Sequence, residues 1–104
     1  MIERISVTRA VELIDSQDAQ VVDIRDPNTY AQGHIAQARR VDNNNIHEFL
    51  AQADKTKPLV VVCYHGKSSQ QAAMVFSQQG FDASYSMDGG MCEWVLTQPV
   101  VTGE

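Results

Sequence analysis

The stretch LVVVCYHGKSSQQAAMVF, residues 59–76, joins a run of β-branched residues to an alanine-bearing helical segment through Cys63, Tyr64, His65, Gly66, Lys67 and Ser68. A cysteine reacts as its thiolate, so its surroundings decide whether it does chemistry. Gly66 lets the backbone curl, and Ser68 or Ser69 can cap the helix that follows. A tight curl turns several amide N–H groups inward, next to the unpaired amides of the first helical turn, and makes a small nest for an anion. If Cys63 Sγ lies in that nest, the anion is its own thiolate. The amides, the helix dipole and Lys67 all favour it, and no His/Asp dyad is required. The bland reading is a small hydrophobe ending a buried strand. It accounts for the cysteine but not for the glycine, lysine and serines that follow it.

The elements that must hold this loop alternate between strand and helix. ERIS is a short first strand, and from Ser6 a helix follows with Val7, Ala10, Val11 and Ile14 on one face. AQVVDI (19–24) is a strand ending at RDP, where Asp26 can cap and Pro27 can open a short helix that Gly33 stops. A brief strand is expected at 38–41. Asn43–Asn45 then read as a loop and cap before a helix carrying Ile46, Phe49, Leu50 and Ala53 on one face. PLVVVC (58–63) shows no apolar/polar alternation and so reads as buried on both faces, like a central parallel strand.

A helix from Ser69 follows, with Ala72, Ala73, Phe76 and Gly80 as a narrow seam that lets it sit close to the sheet. ASYSM is a fifth strand. DGG reads as a tight turn with Asp88 as cap, and a last helix carries Met91, Trp94 and Val95 inward. Such alternation implies an open, mostly parallel α/β sheet, whose ligands sit outside the carboxyl ends of strands, where Cys63 stands.

At 104 residues the chain is read as a single domain, 1–104. Its 43% hydrophobic and 20% charged residues are those of a globular protein. The net charge of −5 argues against binding nucleic acid or an anionic membrane. No apolar run approaches the length of a membrane span, and MIERISVTRA lacks the apolar core of a signal peptide, so the expected location is cytoplasmic. Cys63 and Cys92 form no Cys-x-x-Cys pair, and histidines at 34, 47 and 65 have no zinc-ligand spacing. The thiols are read as free and no metal is expected.

At these residues the chain resembles the rhodanese family of sulfurtransferases, in its single-domain form. VVDIRDPNTYAQGHIAQA (21–38) is similar to the family's N-terminal signature, CYHGKSS (63–69) to its active-site loop, and MDGGMCEW (87–94) to its C-terminal D-G-G-x-x-x-W signature. The resemblance implies a three-layer α/β/α fold with a central five-stranded parallel sheet. It also implies thiosulfate sulfurtransferase activity without a metal or organic cofactor. Cys63 would attack the outer sulfur of thiosulfate, release sulfite and hold the sulfur as a persulfide. Cyanide or a small thiol would then accept it, with a thioredoxin-like dithiol protein as a further acceptor able to reach a loop that no second domain covers.

Tyr64, His65, Gly66, Lys67, Ser68 and Ser69 are the expected substrate-binding loop. Arg25, with Asp23, is read mainly as a structural tie at the border of the pocket. His34 reads as structural, Trp94 as core or pocket wall, and Cys92 as inert packing. A phosphatase of related fold carries a loop one residue longer that ends in arginine. Here position 69 is serine and no arginine occurs after residue 40, which argues against phosphatase chemistry. Two alternatives stay open: a sulfur-carrier module serving one protein partner, and a redox sensor pairing Cys63 with Cys92.

Overall fold

The computed structural model describes residues 2–103. Along the chain run β1 (Glu3–Ile5), α1 (Val7–Gln17), β2 (Gln20–Asp23), α2 (Pro27–Gln32), β3 (Arg39–Arg40), α3 (Ile46–Gln52), β4 (Leu59–Val62), α4 (Ser68–Gln78), β5 (Ser84–Met87) and α5 (Gly90–Thr97). The strands form one parallel sheet in the order β1-β5-β4-β2-β3. This is the five-stranded parallel sheet expected from the sequence. No helix among the described residues is long and apolar enough to cross a membrane.

The all-apolar β4 is explained by its place at the middle of the sheet. Val60 and Val62 face one core with Leu13, Met87, Met91 and Trp94. Leu59 and Val61 face the other with Phe49, Ala73, Phe76 and Phe81. All four β4 residues are fully buried, so neither face tolerates a polar side chain. Helices α1 and α5 cover one side and α3 and α4 the other, which makes the three layers.

Local chemistry starts and stops the elements. Ser6 caps α1 by accepting the Arg9 amide. The Asp26 carboxylate accepts the Thr29 amide, Pro27 opens α2 and Gly33 ends it, as the sequence predicts. Strand ends are shorter than expected. Ala38, expected in β3, turns its amide back to the Ile35 carbonyl instead of joining the ladder.

Other expectations fail for identifiable reasons. Asn45 stands at the start of α3 but does not cap it, because its side chain accepts the Asp42 amide and donates to the Arg40 carbonyl. Gly80 is not part of the α4 seam: the helix ends at Gln78 and Gly80 lies in the exposed turn beyond it. Val95 is 52% exposed, since the stripe that α5 buries is only as wide as Met91 and Trp94.

Candidate active site

Cys63 follows the last residue of β4 and is buried. Five residues later α4 begins, and the chain between them bends around the sulfur. The Gly66 amide donates to Cys63 Sγ at 3.1 Å and the Ser69 amide at 3.3 Å. The Ser69 hydroxyl lies 3.3 Å from Sγ, accepting from the thiol when sulfur is protonated. An ionised sulfur reverses that bond and becomes the acceptor.

Burial by itself would push the Cys63 thiol up. The Ser69 hydroxyl and the amides of Ser69, Gly66 and His65 outweigh burial, and the thiol lies below its ordinary value. The dipole of α4, eleven residues long, acts in the same direction.

Neither serine caps α4 in the way the sequence suggested. Lys67 holds the N-cap position and makes no side-chain cap bond. Ser68 lies inside the first turn. The Ser69 hydroxyl is used on the sulfur and on Ser86 Oγ, 2.8 Å away on β5. Gln70 closes the loop instead, its side-chain amide donating to the Gly66 carbonyl at 2.9 Å.

The loop is also held from α5. The Met91 amide donates to the Cys63 carbonyl at 2.8 Å, and the Cys92 amide to the Tyr64 carbonyl at 3.0 Å. These are unpaired N–H groups of a helix's first turn finding acceptors outside it. The approach requires glycine. A Cβ on Gly90, at φ +59°, would lie 2.5 Å from the carbonyl oxygens of both Cys63 and Tyr64. One on Gly66, at φ +87°, would lie 2.8 Å from the Gly89 nitrogen. Asp88, expected to cap this turn, instead pairs with Arg4 at 2.8 Å.

A cavity of about 240 Å³ reaches Cys63 between Ile24, Arg25, Asp26, Thr29, Tyr64 and Ser68. Arg25 therefore borders the pocket, but its charge is already committed. It donates to both Asp23 carboxylate oxygens, at 2.7 to 3.1 Å, and to the Gly33 carbonyl at 2.8 Å. His65 and Lys67 are exposed and lie outside the cavity wall. The Tyr64 ring, 55% exposed, leans on that of His65 at 4.7 Å.

A larger apolar groove of about 390 Å³ between α3 and α4 shares Ile24 and Ser68 with the cavity. His34 is buried, bonded to the Tyr30 carbonyl and stacked on the Tyr30 ring. Trp94 is core, and Cys92 is half-buried.

Sequence reasoning missed Ser86 and Gln70, and gave Asp88-Gly89-Gly90 only a turn. A signal for Ser86 existed: Ser84 and Ser86 alternate on β5 in an otherwise apolar setting, and both hydroxyls meet α4.

Comparison with known proteins gives the same outline. The model of the Rhodanese-like domain matches residues 6–97. A thiosulfate sulfurtransferase GlpE of Pseudomonas paraeruginosa is 52% identical over 100 residues, 96% of this chain and 90% of that protein. One from Shewanella oneidensis is 48% identical over 92 residues, covering 88% of this chain and 91% of that protein. Among solved structures, a rhodanese-related protein from Thermoplasma volcanium superposes with a TM-score of 0.81 at 26% identity, over 97% of this chain and 99% of the other. A rhodanese-like domain protein from Staphylococcus aureus shares the fold, with a TM-score of 0.81 at 24% identity over 99% and 100% of the two chains. With a five-stranded parallel sheet, the matched residues and relatives near half identity, this chain belongs to the rhodanese-like domain family.

Proposed function

We propose that this protein is a thiosulfate sulfurtransferase in which Cys63 is the nucleophile and carries the sulfur as a persulfide. The observation that carries the reading is the convergence on one buried sulfur of two donating backbone amides and a serine hydroxyl that turns donor once the sulfur is ionised, all within 3.3 Å. The curated relatives at about half identity bear the name of that activity.

In the first step the Cys63 thiolate attacks the outer sulfur of thiosulfate. The new bond joins Sγ to that sulfur, the S–S bond of thiosulfate breaks, and sulfite leaves with the electron pair. The negative charge left on the persulfide stays beside the donors that favoured the thiolate. In the second step cyanide or a thiolate attacks the outer sulfur, and Cys63 departs as thiolate. No net proton is needed in either step once Cys63 is ionised. The scheme is a two-step covalent exchange and gives ping-pong kinetics.

The cavity at Cys63 accommodates a donor the size of thiosulfate, with Tyr64 and Ser68 on its wall. His65 and Lys67, exposed in the loop between the lining residues Tyr64 and Ser68, meet anionic donors on the way in. The acceptor is a small thiol or a thioredoxin-like dithiol protein, cyanide serving in the assay. Two free cysteines fit a reducing compartment such as the cytoplasm.

Intact mass after incubation with thiosulfate tests the reading. The wild type gains one sulfur atom, Cys63→Ser gains none, and cyanide removes the sulfur as thiocyanate. A folded wild type that takes up no sulfur would overturn it.

A further inference from the structure

Behind the sulfur lies a buried chain of two hydroxyls. Cys63 Sγ, Ser69 Oγ and Ser86 Oγ stand in line, 3.3 Å and then 2.8 Å apart, with Ser69 and Ser86 both completely buried. Ser86 comes from β5, a different element from either of its neighbours in the chain. Among the hydrogen bonds of the described residues its hydroxyl has no partner other than Ser69 Oγ.

That end position decides which way the protons point. If Ser69 donated to Ser86, the Ser86 proton would lie in the interior with no acceptor, an arrangement folded proteins avoid. If Ser86 donates to Ser69, every hydroxyl proton has an acceptor: that of Ser86 on Ser69 Oγ, that of Ser69 on Sγ. Donation into Ser69 also polarises its O–H and strengthens the bond it makes onward. The thiolate, which carries its negative charge on Sγ and has no proton of its own to donate back to Ser69, completes this polarity best.

We propose that Ser86 is a positioning residue for the sulfur chemistry: it donates to Ser69 Oγ and so holds the Ser69 proton on Cys63 Sγ. The proposal rests on the reading of Cys63 as nucleophile. Charged and titratable groups near the site are Arg25 and Asp26 on the cavity wall, Tyr64, His65 and Lys67 in the loop, and Asp88, Cys92 and Glu93 beyond β5. Arg25 is bound to Asp23 and Asp88 to Arg4, and no hydrogen bond joins any of these groups to Ser69 or Ser86 side chains. The hydroxyl chain therefore acts on the sulfur from the interior, separately from them.

The test is the pH profile of iodoacetamide alkylation at Cys63, followed by peptide mass so that Cys92 does not interfere. Ser86→Ala moves the midpoint upward by roughly half a unit, about a threefold loss of rate on the acid side. In a Ser69→Ala background the same change moves nothing further, because Ser86 acts through Ser69. An unchanged midpoint in a cooperatively folded Ser86→Ala protein would overturn the proposal, as would an equal additional shift in the Ser69→Ala background. Should alanine at 86 prevent folding, Ser86→Cys keeps the volume with a weaker donor and is read in the same way. Alkylation needs no sulfur donor, so failure of thiosulfate uptake would sink the nucleophile's substrate without moving this midpoint.

Discussion

Two opposing effects meet on the sulfur of Cys63. Burial disfavours the thiolate, and hydrogen bonds from Ser69 and the loop amides favour it more strongly. The balance is local, because the cation that lines the cavity, Arg25, is neutralised by Asp23. Ser69→Ala removes the one side-chain donor and raises the Cys63 pKa. Sulfur uptake from thiosulfate at neutral pH falls by roughly tenfold, the effect of about one pKa unit on the thiolate fraction. Rates measured well above pH 9 converge with the wild type, and a loss that is equal at every pH would assign Ser69 to substrate binding instead. The Asp23–Arg25 pair has a different duty. Both side chains are buried, at 0% and 7% exposed, and Asp23→Ala would leave a guanidinium without its partner. Urea unfolding should show a loss of roughly 3–5 kcal/mol. Arg25 positions the end of β2 through Gly33, not an anion in the pocket.

At the scale of elements, two helix N-termini converge on one loop. α4 directs its first-turn amide at the sulfur, and α5 directs two at the carbonyls of Cys63 and Tyr64. The second contact depends on Gly90, where any Cβ would press on two carbonyl oxygens. Gly90→Ala combines that clash with a left-handed backbone and should destabilise by roughly 2–4 kcal/mol. Gly80→Ala, also at positive φ but with only the flexible Lys55 side chain at 3.5 Å, should lose less. Equal thermal midpoints for the two variants would mean that the loop yields to α5 at no penalty. This level also marks what the sequence could and could not tell. Strand β4, the helix after it and the cysteine between them were legible, because unbroken β-branched residues and a 3.6-residue period have few other solutions. The capping roles of Ser68, Ser69, Asp88 and Asn45 were not. A short polar side chain at a turn has several partners within reach, and tertiary neighbours such as Ser86, Arg4 and Arg40 choose among them. The alternation of Ser84 and Ser86 marks Ser86 as unusual, but its partner Ser69, seventeen residues away on another element, is not legible from the sequence.

For the whole molecule, ionisation of Cys63 couples the site to the stability of the fold. Loop, α4, β5 and α5 all contribute to the thiolate's surroundings, so unfolding dissolves every favourable contact at once. The folded pKa lies below the ordinary value, and the unfolded chain titrates near 8.5. The folded state therefore releases its proton first, and stability rises with pH between the two values. The contribution is fully present above about pH 8.5 and is lost as pH falls through the folded pKa. Cys63→Ser lacks this linkage while keeping a side chain of similar size. The difference in Tm between wild type and Cys63→Ser, measured in matched buffers, should widen as pH is raised from the acid side and level off above about 8.5. A difference that stays constant with pH would mean that the resting fold does not distinguish thiolate from thiol. The nucleophile would then have to be generated by the bound donor, and the convergence of two helices on Cys63 would serve the loop's shape alone.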